Sequence, residues 1–160
     1  MGSEMCIRDR FLIQGIALVA ATAMALAKNH NRDVSFCFNR KEAKSHGEGG
    51  NLIGAPLKGR VLVVDDVITA GTAINEAVDI INSQPDAKLQ GVVIALDRQE
   101  RATEETTESA IMQVEKRLSI KVYSVVTLTQ IISHMEQTRG DSARSDIDSM
   151  CAYRERYGCA

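Results

Sequence analysis

The chain has 160 residues, 44% of them apolar and 25% charged, with a formal charge of −2, and it reads as one domain. Its 19 basic against 21 acidic side chains exclude a dedicated nucleic-acid binder, which carries a basic surplus, and its apolar content excludes wholesale disorder. With no Trp and only 4% aromatics, the core must be built from Ile, Val, Leu and Ala. The four cysteines (Cys6, Cys37, Cys151, Cys159) form no CxxC pair, and His30, His46 and His134 form no HxxxH pair. The expectation is reduced thiols in a cytoplasmic protein, with no metal held directly by the chain.

Residues 1–10 show no periodicity and are read as a leader of doubtful origin, ahead of a domain spanning 11–160. Phe11–Ala27 (FLIQGIALVAATAMALA) is apolar and Ala-rich, and a buried helix covering a sheet face is expected there, with a stop near Asn29. The same run follows Arg8 and Arg10 and ends in Ala25-Leu26-Ala27, so a signal peptide is the competing reading. Glu4 and Asp9 cancel those arginines and favour the helix, and the run is too short and interrupted for a membrane span.

Val34–Phe38 reads as a short strand, followed by a long glycine-rich loop from Asn39 to Gly59 that carries Arg40, Lys41, Lys44 and His46. Arg60–Val64 is a continuous apolar run, as expected of a strand buried on both faces of a parallel sheet. A helix is predicted from Thr72, because Ile74, Ala77, Val78 and Ile81 recur at helical spacing before Pro85. Gly91–Leu96 is the next strand, and a helix carrying Ile111, Val114 and Leu118 follows a polar stretch. Ile120–Val126 reads as a strand, and Leu128, Ile131, Ile132 and Met135 mark another helix. Gly140–Asp148 reads as a polar linker and Ala152–Tyr157 as a short last helix. Strands alternating with helices indicate an α/β fold with a mostly parallel sheet flanked by helices.

In such a sheet, ligands bind beyond the carboxyl ends of the strands. Three signals converge there: Asp65-Asp66, the loop Val67-Ile68-Thr69-Ala70-Gly71-Thr72, and Asp97-Arg98. Gly71 permits close backbone approach, Thr69 and Thr72 supply hydroxyls, and N–H groups at a helix start favour an anion. The pattern is a phosphate cradle without the GxxxxGK[ST] lysine. The paired carboxylates suit ribose hydroxyls or a phosphate-bound Mg²⁺. A solvated acidic strand end is the bland reading of Asp-Asp alone, and a phosphoacceptor pair is another. The latter would need a lysine closing the strand Ile120–Val126, which is absent.

Val61–Ala73 (VLVVDDVITAGTA) closely resembles the phosphoribosyl-pyrophosphate signature of type I phosphoribosyltransferases. Phe38–Asn51 (FNRKEAKSHGEGGN) is similar to the catalytic loop of the orotate phosphoribosyltransferase family, and LDRQE at Leu96–Glu100 and AYRERYG ending at Gly158 fit the same family. The resemblance implies transfer of a phosphoribosyl group from phosphoribosyl pyrophosphate to orotate, giving orotidine 5′-monophosphate and pyrophosphate, with Mg²⁺ bound mainly through substrate. It implies that Asp65 and Asp66 hold the ribose hydroxyls and that Val67, Ile68, Thr69, Ala70, Gly71, Thr72 and Ala73 cradle the 5′-phosphate. Arg40, Lys41, Lys44 and His46 would bind pyrophosphate, with Arg40, Lys44 and His46 catalytic, and Thr69 and Arg98 would contact orotate. It further implies a homodimer in which the Arg40–His46 loop acts across the interface, and no nucleic-acid or membrane partner.

The sequence also departs from that pattern. Ile13-Gln14 precede Gly15-Ile16 where the family carries Tyr-Lys, and the family's N-terminal segment, with a further lysine and an aromatic loop, has no match in residues 1–10. The expectation is therefore a phosphoribosyltransferase-like domain incomplete at its N-terminus, with impaired activity and uncovered apolar surface around Ile16, Leu18, Val19, Met24 and Leu26. The alternatives left open are a nucleotide-binding regulator of the same fold without turnover, or a transferase for another base.

Overall fold

The computed structural model describes residues 9–13, 16–39, 52–69 and 71–159. The chain divides into two compact units, Met1–Asp65 with Ala73–Val92, and Asp66–Thr72 with Val93–Ala160.

The first unit contains β1 (Asp9–Ile13), α1 (Ile16–His30), β2 (Ser35–Asn39), β3 (Leu52–Gly54), β4 (Gly59–Asp65), nearly all of α2 (Thr72–Asn82) and the first part of β5 (Ala87–Asp97). Its strand order is β3-β2-β1-β4-β5. The central strand β1 runs parallel to β2, from Arg10↔Ser35 to Ile13↔Phe38, and parallel to β4, from Asp9↔Arg60 to Ile13↔Val64. The edge strand β3 is antiparallel to β2, with Cys37 opposite Gly54.

The helix expected over Phe11–Ala27 is corrected here: Phe11–Ile13 belongs to β1, and the helix begins only at Ile16. A central parallel strand and a buried helix both read as short apolar runs, and periodicity does not separate them. β3 falls within the stretch Asn39–Gly59 that the sequence marks as loop, because three residues carry no alternation of their own.

α1 buries Val19 and Ala23, four residues apart on one face, against Val34 and Val64, with Leu26, Phe36, Phe38 and Leu62 around them. Ile16 is 50% exposed and Met24 73%, so much of its apolar surface lies outside this core. α2 buries Ile74, Ala77 and Ile81, the face its spacing predicts.

The second unit contains the end of β5, α3 (Ala110–Leu118), β6 (Lys121–Thr127), α4 (Leu128–Thr138), a 3₁₀ turn (Gly140–Ala143) and α5 (Arg144–Tyr157). β6 lies beside β5. The starts of α3 and α4 are capped by side chains. The Ser109 hydroxyl accepts the Met112 N–H of α3 at 3.1 Å, and Thr127 and Gln130 exchange reciprocal bonds at the start of α4. Leu128 and Ile132 of α4 pack on Ala143 and Ile147 in a second small core, with Met135, Met150 and Cys151 against it.

Gly140–Asp148 is thus not a linker but the 3₁₀ turn and the first part of α5. Its apolar residues are two, Ala143 and Ile147, and both are buried. The rest faces water, so the composition resembles a loop although the spacing is helical. Among the described residues, no helix is long and apolar enough to cross a membrane.

Candidate functional site

β4 ends on two acids placed differently. Val61, Val63 and Val64 are buried, Asp65 is only 6% exposed, and Asp66 is exposed. The Asp66 carboxylate accepts the Val67 N–H at 2.7 Å, and its backbone carbonyl accepts the Leu96 N–H of β5 at 2.9 Å. One residue thereby turns the chain out of the strand and ties the loop to the next strand.

Ile68 is buried at 8% exposure and anchors the loop, while Thr69 is exposed. Gly71 is buried with φ +71, a backbone conformation that side chains with a Cβ rarely adopt. A Cβ there would also lie 3.3 Å from Val114 Cγ2. α2 starts at the next residue with no acid in its first turn, so the positive end of its dipole follows directly on the loop. Asp65, Asp66, Val67, Ile68, Thr69, Gly71, Thr72 and Ala73 follow one another along the chain from the end of β4 to the start of α2. Ala70, Arg40, Lys41, Lys44 and His46 fall outside the described residues.

The segment after β5 is held on two sides. The Asp97 carboxylate accepts the Gln99 N–H at 2.7 Å, and Gln99 takes φ +58. The Gln99 side chain accepts both the N–H and the hydroxyl of Thr129, at 3.0 and 2.6 Å. The end of α5 reaches the same segment: Cys159 N–H donates to Gln99 O and Arg101 N–H to Tyr157 O, both at 2.9 Å. Arg101 Nη2 donates to Arg156 O at 2.6 Å. On the other side, Ala110 N–H donates to Glu100 O at 3.2 Å.

A cavity of about 350 Å³ opens at this segment, and Thr69 and Arg98 both line it. The two residues that the sequence marks for the acceptor base are thus brought together, although 29 positions separate them. Glu100, Arg101, Tyr153 and Tyr157 share its wall. Arg98 Nε stands 3.0 Å from Glu100 Oε1 as an ion pair, and the Tyr153 hydroxyl donates to the same oxygen. That hydrogen bond, with burial and the Glu100 charge, holds the Tyr153 pKa above its ordinary value, so the phenol remains a donor. Tyr153 and Tyr157, one turn apart, pack with ring centroids 4.9 Å apart and planes tilted by 50°, and the Arg156 guanidinium lies 5.0 Å from the Tyr157 ring centre.

Glu100, Tyr153 and Tyr157 were not singled out as site residues. Their signal lay in the LDRQE and AYRERYG stretches and in the four-residue tyrosine spacing, which puts both rings on one helix face.

No family model matches the chain. It is 54% identical over 145 residues to the orotate phosphoribosyltransferase of Pseudomonas fluorescens, across 91% of this chain and 66% of that protein. The Yersinia enterocolitica orotate phosphoribosyltransferase is 53% identical over the same shares of each. The chain spans just under two thirds of the length of these relatives. Among solved structures, the orotate phosphoribosyltransferase of Francisella tularensis superposes with a TM-score of 0.74 at 33% identity, covering 94% of this chain and 70% of that one. With a third of the positions shared over that extent, and the acidic strand end, glycine turn and Arg98 wall in place, the chain belongs to the orotate phosphoribosyltransferase family.

Proposed function

We propose that the chain carries the phosphoribosyl-transfer site of its family, moving the 5-phosphoribosyl group from phosphoribosyl pyrophosphate to a ring nitrogen of orotate. The observation that carries this reading is the meeting of Thr69, from the phosphate-cradle loop, and Arg98, from the end of β5, on one cavity.

The chemistry follows from the groups present. Backbone N–H groups of Val67–Ala73 and the start of α2 suit the 5′-phosphate, and the carboxylates of Asp65 and Asp66 suit the ribose hydroxyls. The Arg98 guanidinium, a planar fork of donors, suits the planar orotate anion. As the bond from C1 to pyrophosphate breaks, its electron pair leaves with the pyrophosphate and the sugar becomes cationic. The orotate nitrogen then forms the new bond to C1 and gives up its N–H proton to the departing pyrophosphate or to solvent. Arg40, Lys41, Lys44 and His46 would stabilise charge on the leaving group, more in the transition state than before it.

Mg²⁺ fits the donor set as a substrate-held ion beside the Asp65–Asp66 pair, and when bound it supplies neutralisation of the pyrophosphate charge. In this reading the working form is a cytoplasmic homodimer, with the Arg40–His46 loop of one subunit serving the site of the other. Cys151 and Cys159 are free thiols, as suits a reducing compartment.

The test is calorimetry with phosphoribosyl pyrophosphate and Mg²⁺, together with an assay of orotidine monophosphate formation. Asp65→Ala combined with Asp66→Ala should weaken phosphoribosyl pyrophosphate binding by about 10-fold or more through lost charge-assisted hydrogen bonds. Unchanged affinity in the folded double variant would overturn the assignment. Tight binding without turnover on any base would place the chain among ligand-binding regulators instead.

A further inference from the structure

Arg98 is held in place by two residues, Glu100 and Tyr153. Glu100 lies two residues further along the chain, and Oε1 receives both the Arg98 Nε ion pair at 3.0 Å and the Tyr153 hydroxyl. The Glu100 side chain is 14% exposed and that of Arg98 30%, so this carboxylate stays largely out of water while the guanidinium reaches the cavity. Arg98 Nε is buried without an aligned hydrogen bond among the described residues, so its contact with Glu100 is an ion pair rather than a hydrogen bond. Tyr153 comes from α5, 53 positions away, and its ring is braced by Tyr157.

We infer that Glu100 and Tyr153 are positioning residues for the base site. By fixing the Nε side of Arg98 they turn the Nη donors toward the anionic base, and this makes the last helix part of the selection for a carboxylate-bearing pyrimidine. The inference rests on the functional reading above, which places orotate at Arg98. A freely rotating arginine would bind the same anion, but it would lose side-chain freedom on doing so. Held by a half-buried carboxylate, that freedom is already lost before binding.

The experiment compares two ligands that differ only by the base, ribose 5-phosphate and orotidine 5′-monophosphate, by calorimetry on the full chain. Glu100→Gln should weaken orotidine monophosphate by about tenfold and Tyr153→Phe by about threefold, with ribose 5-phosphate within about twofold of the parent in both. Tyr153→Phe added to Glu100→Gln should cost nothing more, since both act through one oxygen. Tyr153→Phe keeps the ring stack, so it remains readable if Glu100→Gln fails to fold. A purely structural role would weaken both ligands alike, and that result, or no loss of orotidine monophosphate affinity in folded variants, overturns the inference alone. If the parent chain gains no affinity from the orotate base, the functional reading fails and the inference falls with it.

Discussion

The loop after β4 is made from consecutive residues, Asp65 to Thr72, whereas the wall after β5 is assembled from the Arg98–Arg101 segment, the start of α3 and the end of α5. Arg101 and Arg156, joined by a hydrogen bond, are 55 positions apart. The first region depends on local backbone geometry: an Asp66 side chain bonded to the next N–H, a left-handed Gly71 and a helix start. The second depends on long-range closure by Gln99, Glu100, Arg101 and their partners. A phosphate is a compact anion that backbone N–H groups hold equally well on any sheet of this kind. A base is recognised by its edges, and side chains from several elements have to be brought to it. The comparison teaches that damage to the loop should be local and total, while damage to the wall should be graded and should track the stability of α5.

The largest expected effect is Gly71→Val. At φ +71 a β-branched residue is strained by about 1–3 kcal/mol, and its Cβ would press on Val114 Cγ2 from 3.3 Å. The loop must then open, and ribose 5-phosphate affinity should fall by about 10²-fold or more as backbone N–H groups leave their positions. Calorimetry paired with circular dichroism checks this. A folded variant that keeps its phosphate affinity would break the claim that the loop works through local backbone geometry.

Gly158→Ala comes next and probes the wall. Its Cβ would clash with Arg154 O, so the end of α5 must shift, and with it the Glu100–Gly158 bridge. A loss of about 1–3 kcal/mol is expected, and each kcal/mol lowers Tm by about 2–4 °C in a chain of this size. Orotidine monophosphate should weaken while ribose 5-phosphate does not. Equal weakening of both would show that the two regions are not separable.

The smallest effect concerns pH. The Tyr153 pKa is raised in the folded chain, chiefly by its hydrogen bond to Glu100, so the neutral phenol is the form that folding favours. Its contribution is fully present below the unfolded value of about 10 and is lost as pH rises through the higher folded value. The Tm gap between the parent and Tyr153→Phe should therefore be constant at neutral pH and narrow above about pH 10. A gap that widens there would reverse the assignment of Tyr153 as donor to Glu100.

Much of this was legible in the residues themselves. The apolar run of β4 ending in Asp65-Asp66, the helical spacing of Ile74, Ala77 and Ile81, and the glycine turn between them all rest on contacts between near neighbours, which local chemistry dictates. Phe11–Ile13 was not legible as strand, because what makes it one is its pairing with β2 and β4. Nor was Gly140–Asp148 legible as helix, because Ala143 and Ile147 acquire meaning only against Leu128 and Ile132.

The sequence by itself thus determined the alternation of strands and helices, the place of the loop after β4 and its resemblance to phosphoribosyltransferases, since each is written in a contiguous stretch with its own turn and capping chemistry. Only the tertiary structure decided which side chains share a wall with Arg98. Glu100 and Tyr153 meet there because α5 returns its end to the segment after β5, and such a return is set by packing and closure over 53 positions rather than by any local preference.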